Sequence, residues 1–182
     1  SRAFAPPAPR LPEGCRRVVI VGAGGFGREV RWWASDAWAG EGVEFAGFLS
    51  ADDTLGGTGL PILGDPDRYV PAAAEGFLLA IGIPRVRRRV AESLRARGAR
   101  FLTLVHPTAV VVPTARIAEG AIVCPHAVIS DAAEIGPCAL VNYHAAVAHD
   151  AVVGAFAVLS PYATLAGGAD RKSTRLNSSH AN

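Results

Sequence analysis

The sequence predicts two domains in tandem, a small parallel α/β domain over 17–104 and a parallel β-helix over 105–169. Three observations predict this. Stepping by six from Val105 to Leu165 lands on an aliphatic residue every time, and stepping by six from Ala109 to Ala169 lands on alanine every time. A period of six fits neither an α-helix nor a simple alternating strand; it fits a coil with three flat faces of six residues each. Ahead of it, RVVIVGAGGFGREV joins a β-branched run to a glycine cluster and a helical segment. Between the two, strand-like and helix-like stretches alternate, the order that builds a parallel sheet.

Residues 1–16 are rich in proline and alanine without an apolar signal core, and are expected to be a disordered lead-in. The chain holds no methionine, so its native start is expected upstream of Ser1 or removed. Arg17 to Val30 reads as a strand, a tight turn and a helix N-terminus, the opening of a Rossmann-like unit. Gly22, Gly24 and Gly27 match GxGxxG, with Gly25 beside them. Such glycines let the backbone approach a phosphate, where the helix start presents free N–H groups and its positive dipole end. The motif alone is a weak signal, and a turn serving only packing is the alternative. An NAD site needs an acidic residue at the end of the next strand, expected over 43–49. That strand ends in Ser50, and Asp52 and Asp53 come only later. The phosphate of a nucleotide or nucleotide sugar fits better than a dinucleotide.

Gly56 to Gly64 is turn-rich, and a short helix is expected over 67–74. Phe77 to Ile83 reads as a buried strand with Gly82 at its end. From Pro84 a helix places Val86, Val90 and Leu94 on one face and arginines on the other, ending at Gly98. Arg85 and Arg87 follow a strand's carboxyl end, where open α/β sheets bind ligands. They are the candidate phosphate contacts, and the remaining arginines are solvated surface. Phe101 to Val105 is the last expected strand.

In the β-helix, eighteen residues make one coil, so positions eighteen apart stack: Cys124 with Asn142 and Ser160, His126 with His144. Each buried aliphatic contributes about 1.5–3 kcal/mol before chain entropy is subtracted. Titratable residues are sparse there. His149 is followed directly by Asp150, and on the residues alone His149 reads equally as an exposed corner residue or as a functional one.

Asp170 to His180 reads DRKSTRLNSSH, where both hexad registers stop. It holds the chain's only lysine and resembles a translated sequencing-library adapter, so 170–182 is expected to be an artefact outside the fold. Without it, fifteen basic residues balance fifteen acidic ones, and no charge argument for nucleic acid remains. No apolar run reaches the ~18 residues of a membrane span. Cys15, Cys124 and Cys138 show no CxxC spacing and read as reduced thiols of a cytoplasmic protein.

The GAGGFG turn, LVHPTAVV, and hexads containing VNYHAAVAHDAVVG and SPYATLAGG resemble the hexapeptide-repeat sugar acetyltransferases related to sialic-acid O-acetyltransferase and the bacillosamine-pathway N-acetyltransferases. The resemblance covers Val18 to Ala169. It implies a left-handed β-helix, a homotrimer with its active site between adjacent β-helices, acetyl-CoA as co-substrate, no metal, and a nucleotide-activated amino sugar bound by the N-terminal domain. It also implies that His149 is the general base, Asp150 its acidic neighbour, Gly167 a backbone donor to the thioester oxygen, and Asn142 a supporting residue of the acetyl-CoA site. Three departures stand out. Val158 replaces a second histidine, the acidic pair expected near Ser50 and Ala51 is displaced to Asp52 and Asp53 or absent, and the hexads end after fewer than four coils. N- and O-acetylation are both open.

Two other readings stay open. Gamma-type carbonic anhydrases are similar in carrying His-x4-His-x4-Gly, satisfied by His144, His149 and Gly154, and His126 would complete three imidazoles around zinc across a trimer interface. An inactive β-helix on a sugar-nucleotide-binding scaffold is the non-enzymatic alternative.

Overall fold

The first strand, β1 (Arg17–Val21), is buried from Val18 on, as a β-branched run flanked by strands on both edges must be. In this computed structural model, which describes residues 11–52, 59–171 and 175–176, β1 is the centre of a five-stranded sheet. Helix α1 (Gly25–Ala37) crosses to β2 (Glu44–Leu49), and β3 (Ile62–Gly64) lies outside β2. On the other side, β4 (Glu75–Leu79) leads through α2 (Pro84–Ala96) to β5 (Arg100–Phe101). The order is β3-β2-β1-β4-β5, and every pairing is parallel. The chain leaves β1 toward one edge and β4 toward the other, so the point where the order reverses lies between them. At such a point an open α/β sheet has its ligand crevice.

The helix expected over 67–74 is a single turn closed by Arg68 N–H and Tyr69 N–H on the Asp65 carbonyl. Pro71 stops it, because it has no N–H and holds Val70 away from the α region. The strand expected over 77–83 runs two residues earlier and ends at Leu79.

The strand expected over 101–105 is two strands in different sheets. Arg100–Phe101 pairs with β4, whereas Leu104–Val105 pairs with Ile122–Val123. Thr103 is the crossing point, and two compact units meet there: Leu11–Leu102, and Thr103 onward.

The second unit is a three-faced parallel β-helix. One face stacks Leu104–Val105, Ile122–Val123, Leu140–Val141 and Val158–Leu159; the second stacks Val110–Val111, Val128–Ile129, Ala146–Val147 and Thr164–Leu165; the third stacks Arg116–Ile117, Glu134–Ile135 and Val152–Val153. Both six-step registers form one continuous core, with the aliphatics and alanines between Ala121 and Leu165 buried to within 2 %. At the corners, tight turns hold non-glycine residues at positive φ, among them His126, His144, Asp150 and Tyr162. Each such residue strains its backbone, and the stack overrides the strain. Corner N–H groups bond to the coil before, as in Asp150 N–H to the Asp131 carbonyl at 2.9 Å.

The ladder continues into the segment expected to lie outside the fold. Asp170–Arg171 pairs with Val152–Val153 and Arg175–Leu176 with Val158–Leu159. These pairings use backbone groups, which every residue here carries, and need no hexad side chain. Residues 172–174 and 177–182, like 1–10 of the lead-in and Asp53, lie outside the described residues.

Candidate active site

The turn over 148–151, closed by Ala151 N–H on the Ala148 carbonyl, carries the densest chemistry of the β-helix. His149 Nδ1 lies 2.9 Å from Asp150 Oδ2, and each side chain is 68 % exposed. A carboxylate only accepts hydrogen bonds, so this contact selects the Nδ1–H tautomer of the imidazole, in which Nε2 is the acceptor. One coil on, Gly168 N–H donates to the His149 carbonyl at 2.9 Å, which brings Gly167 beside the imidazole. A Cβ on Gly167 would stand 2.7 Å from both Cε1 and Nε2 of that ring. His149, Asp150 and Gly167 are therefore brought together as the sequence predicts.

Asn142 is not with them in one chain. It lies at the preceding corner, where its Oδ1 accepts the N–H of Tyr143 at 2.9 Å and its carbonyl closes the turn to Ala145. His126 and His144 also occupy that corner line. Their rings stack at 5.0 Å and 19°, and Tyr162 continues the stack on His144 at 5.0 Å and 4°. This is the ladder that eighteen-residue stacking predicts. The same eighteen-residue step joins His144 to Tyr162. The ladder leaves the two imidazoles ring to ring instead of converging on His149. Among the described residues no group of three His, Cys, Asp or Glu side chains is placed to hold a metal ion.

In the α/β unit the glycines divide into two kinds. Gly22 has φ 110°, and a Cβ there would meet the Ala80 carbonyl oxygen at 2.5 Å; one on Gly27 would meet the Gly22 carbonyl oxygen at 1.9 Å. Gly22 is required where the end of β1 passes the chain just beyond β4, and Gly27 where α1 packs against the turn. Gly24 and Gly25 are exposed; a Cβ on Gly24 would meet open space, and one on Gly25 would touch only the Arg28 guanidinium at 3.9 Å. Gly24 is the N-cap of α1 and offers no side-chain cap, so no cap side chain occupies the first-turn N–H groups of the helix. Gly82 likewise has open space around it, just ahead of α2, and Arg85 is exposed in the first turn of that helix.

Arg87 corrects the sequence reading. It is wholly buried, and its Nη1 donates to the carbonyls of Leu79 at 2.5 Å and Ile81 at 2.9 Å. A guanidinium with no exposed surface cannot touch a phosphate. It instead satisfies carbonyls where the chain leaves β4, and so shapes the loop that carries Gly82.

Sequence reasoning also missed a buried carboxylate at the opposite, amino end of β4. Glu75, 3 % exposed, accepts from Tyr69 Oη at 2.9 Å and from Ala72 N–H at 3.0 Å, with Arg17 at 3.6 Å. Burial first, then the hydrogen bond and charge of Glu75, push the Tyr69 phenol up to about 12. Burial also raises the Cys15 thiol, which keeps it protonated and unreactive. Beyond the end of β2, Ser50, Gly64 and Asp65 are among the residues lining a cavity of about 340 Å³, and Ser50 Oγ accepts the N–H of Asp52 at 3.2 Å.

Residues 17–94 match the PglD N-terminal domain family. The chain belongs to the family of hexapeptide-repeat sugar acetyltransferases, and its β-helix is the left-handed kind. It is 35% identical over 117 residues to UDP-N-acetylbacillosamine N-acetyltransferase of Bacillus subtilis, covering 59% of this chain and 51% of that protein. It is 32% identical over 109 residues to GDP-perosamine N-acetyltransferase of Escherichia coli O157:H7, covering 57% and 49%. The chain thus spans about half the length of the curated relatives it matches. A solved histidine-to-alanine variant of GDP-perosamine N-acetyltransferase from Caulobacter crescentus, in complex with CoA and GDP-perosamine, superposes with a TM-score of 0.75 at 31% identity, covering 84% of this chain and 72% of that one.

Proposed function

We propose that the protein transfers the acetyl group of acetyl-CoA to the amine of a nucleotide-linked amino sugar, with His149 as general base. The observation that carries this is the His149–Asp150 pair at 2.9 Å with its Nε2 edge beside Gly167. Nε2 takes a proton from the sugar nitrogen as that nitrogen attacks the thioester carbonyl. The N–C bond forms, the C–S bond breaks, and the imidazolium returns its proton to the departing sulfur, so CoA leaves as the thiol. Asp150 holds the ring in the reactive tautomer and stabilises the imidazolium formed, and the Gly167 N–H is the donor assigned to the carbonyl oxygen as it gains charge.

Gly24, Gly25, Gly82 and the first turns of α1 and α2 flank the crevice between β1 and β4, and there we place the phosphates of the nucleotide sugar, with Arg85 as their side-chain partner. N-acetylation is favoured over O-acetylation because the relatives named above are N-acetyltransferases. UDP and GDP sugars are both candidates on the same ground. We place the reaction in a homotrimer, where neighbouring β-helices bring Asn142 to the acetyl-CoA site, and in the cytoplasm, where both substrates and thiols such as Cys15 fit. No metal takes part in this scheme.

The test is release of CoA by the full-length protein with a panel of UDP- and GDP-linked amino sugars, beside His149→Ala. The expected result is sugar-dependent release that falls about 10²–10⁴-fold in the variant. Release unaffected by the substitution removes His149 from the mechanism, and no release with any sugar overturns the acetyltransferase reading. Sedimentation of the same sample gives three times the chain mass if the trimer is correct.

A further inference from the structure

Gly167 carries two separable features, an amide N–H and an empty place where a side chain would be. We infer that the empty place is the seat of the His149 imidazole, which makes Gly167 a positioning residue for the base. This rests on the reading of His149 given above.

A Cβ on Gly167 would lie 2.7 Å from Cε1, 2.7 Å from Nε2 and 3.3 Å from Cδ2 of His149. Two of these separations are well inside van der Waals contact, so the ring and a side chain cannot share the space. The backbone gives no other reason for glycine. Gly168 sits at φ 68°, in the region that favours glycine, whereas Gly167 has no positive φ and alanine could adopt its conformation. At 68 % exposure, packing contributes little to holding the His149 ring. Its orientation comes from two sides, the Asp150 carboxylate at Nδ1 and the bare Gly167 backbone beneath Cε1 and Nε2. A methyl group at 167 drives the ring off that seat, and the ring must then give up its line to Asp150 or swing Nε2 away. Misplacing a catalytic group by about 1 Å lowers a rate about 10²-fold.

Gly167→Ala keeps the amide N–H and removes only the space, so it separates the seat from the donor role. In the full-length protein, we expect kcat to fall about 10²-fold while KM for acetyl-CoA and sugar moves less than about threefold. Thermal unfolding stays unchanged. The double variant His149→Ala, Gly167→Ala turns over as slowly as His149→Ala alone, because without an imidazole there is nothing to seat. In ¹H–¹⁵N imidazole spectra, the His149 signals, identified by their loss in His149→Ala, move from the Nδ1–H tautomer pattern to a mixture. Multiplying effects in the double variant, or wild-type kcat with unmoved imidazole signals in Gly167→Ala, overturns the inference. If His149→Ala itself is fully active, the base assignment fails, and the spectra still decide whether the seat exists.

Discussion

The two units treat buried charge in opposite ways. The β-helix core holds only valine, isoleucine, leucine and alanine, and the chemistry of that unit stands on its corners. The α/β unit buries a whole arginine and a glutamate, each met by several polar partners. In the β-helix an environment recurs every eighteen residues, so each position asks for a kind of residue. In the α/β unit Arg87 and Glu75 each have surroundings that occur once, and each position asks for one residue.

Substitution can break that contrast. The largest effect on stability is expected from Arg87→Met, which fills the volume but strips the donors from the Leu79 and Ile81 carbonyls. A loss of about 3–5 kcal/mol, read from urea unfolding, is the expectation. Hydrogen exchange should place the loss in the Leu11–Leu102 unit; a neutral result would mean that unit tolerates type substitution as the β-helix does. Next comes Ala145→Leu, which overfills the narrow prism from within and should cost about 1–3 kcal/mol. The conservative Ala145→Ser, by contrast, keeps nearly the same volume and tests whether the register requires smallness or apolarity.

The smallest effect is a pH dependence. The Tyr69 phenol titrates at about 12 in the folded chain against the ordinary value of 10.0. Between those values the unfolded chain has lost its proton and the folded chain keeps it, so folding gains stability that is full below about pH 10 and is lost by about pH 12. Tyr69→Phe should cost about 1 kcal/mol near neutrality and flatten this slope, measured as urea midpoints on either side of pH 10. An unchanged slope would put the alkaline sensitivity on other groups.

Legibility follows the same divide. The two six-step registers gave the β-helix, its stacking columns and the His126–His144 contact, because repetition turns sequence spacing directly into spatial neighbours. The His149, Asp150 and Gly167 cluster was found through the family resemblance; the eighteen-residue step from 149 to 167 shows why those residues meet. Arg87 belongs to the buried face of its helix and not to the ligand crevice. With Val90, Ala91 and Leu94 it completes an i, i+3, i+4, i+7 stripe, which is the buried face of α2. Glu75 left no periodic trace: Tyr69 and Ala72 reach it across an irregular turn within six residues, and Arg17 arrives only when β1 pairs with β4. Nor did spacing reveal the change of sheet at Thr103, where a single apolar run serves two different partners.

The coil-to-coil ladder has a consequence for how the chain is made and altered. Leu104 N–H bonds to the Ala121 carbonyl, Val110 N–H to Ala127, Arg116 N–H to Ala133, and so on around the prism. Each newly synthesised turn of the prism finds its docking edge already present on the segment that left the ribosome before it, so assembly can advance behind translation. The same arithmetic governs gene rearrangement. Excising or duplicating eighteen codons within this region returns every inward side chain to an equivalent place and merely shortens or lengthens the prism, while a change of one or two codons turns the core outward for all that follows.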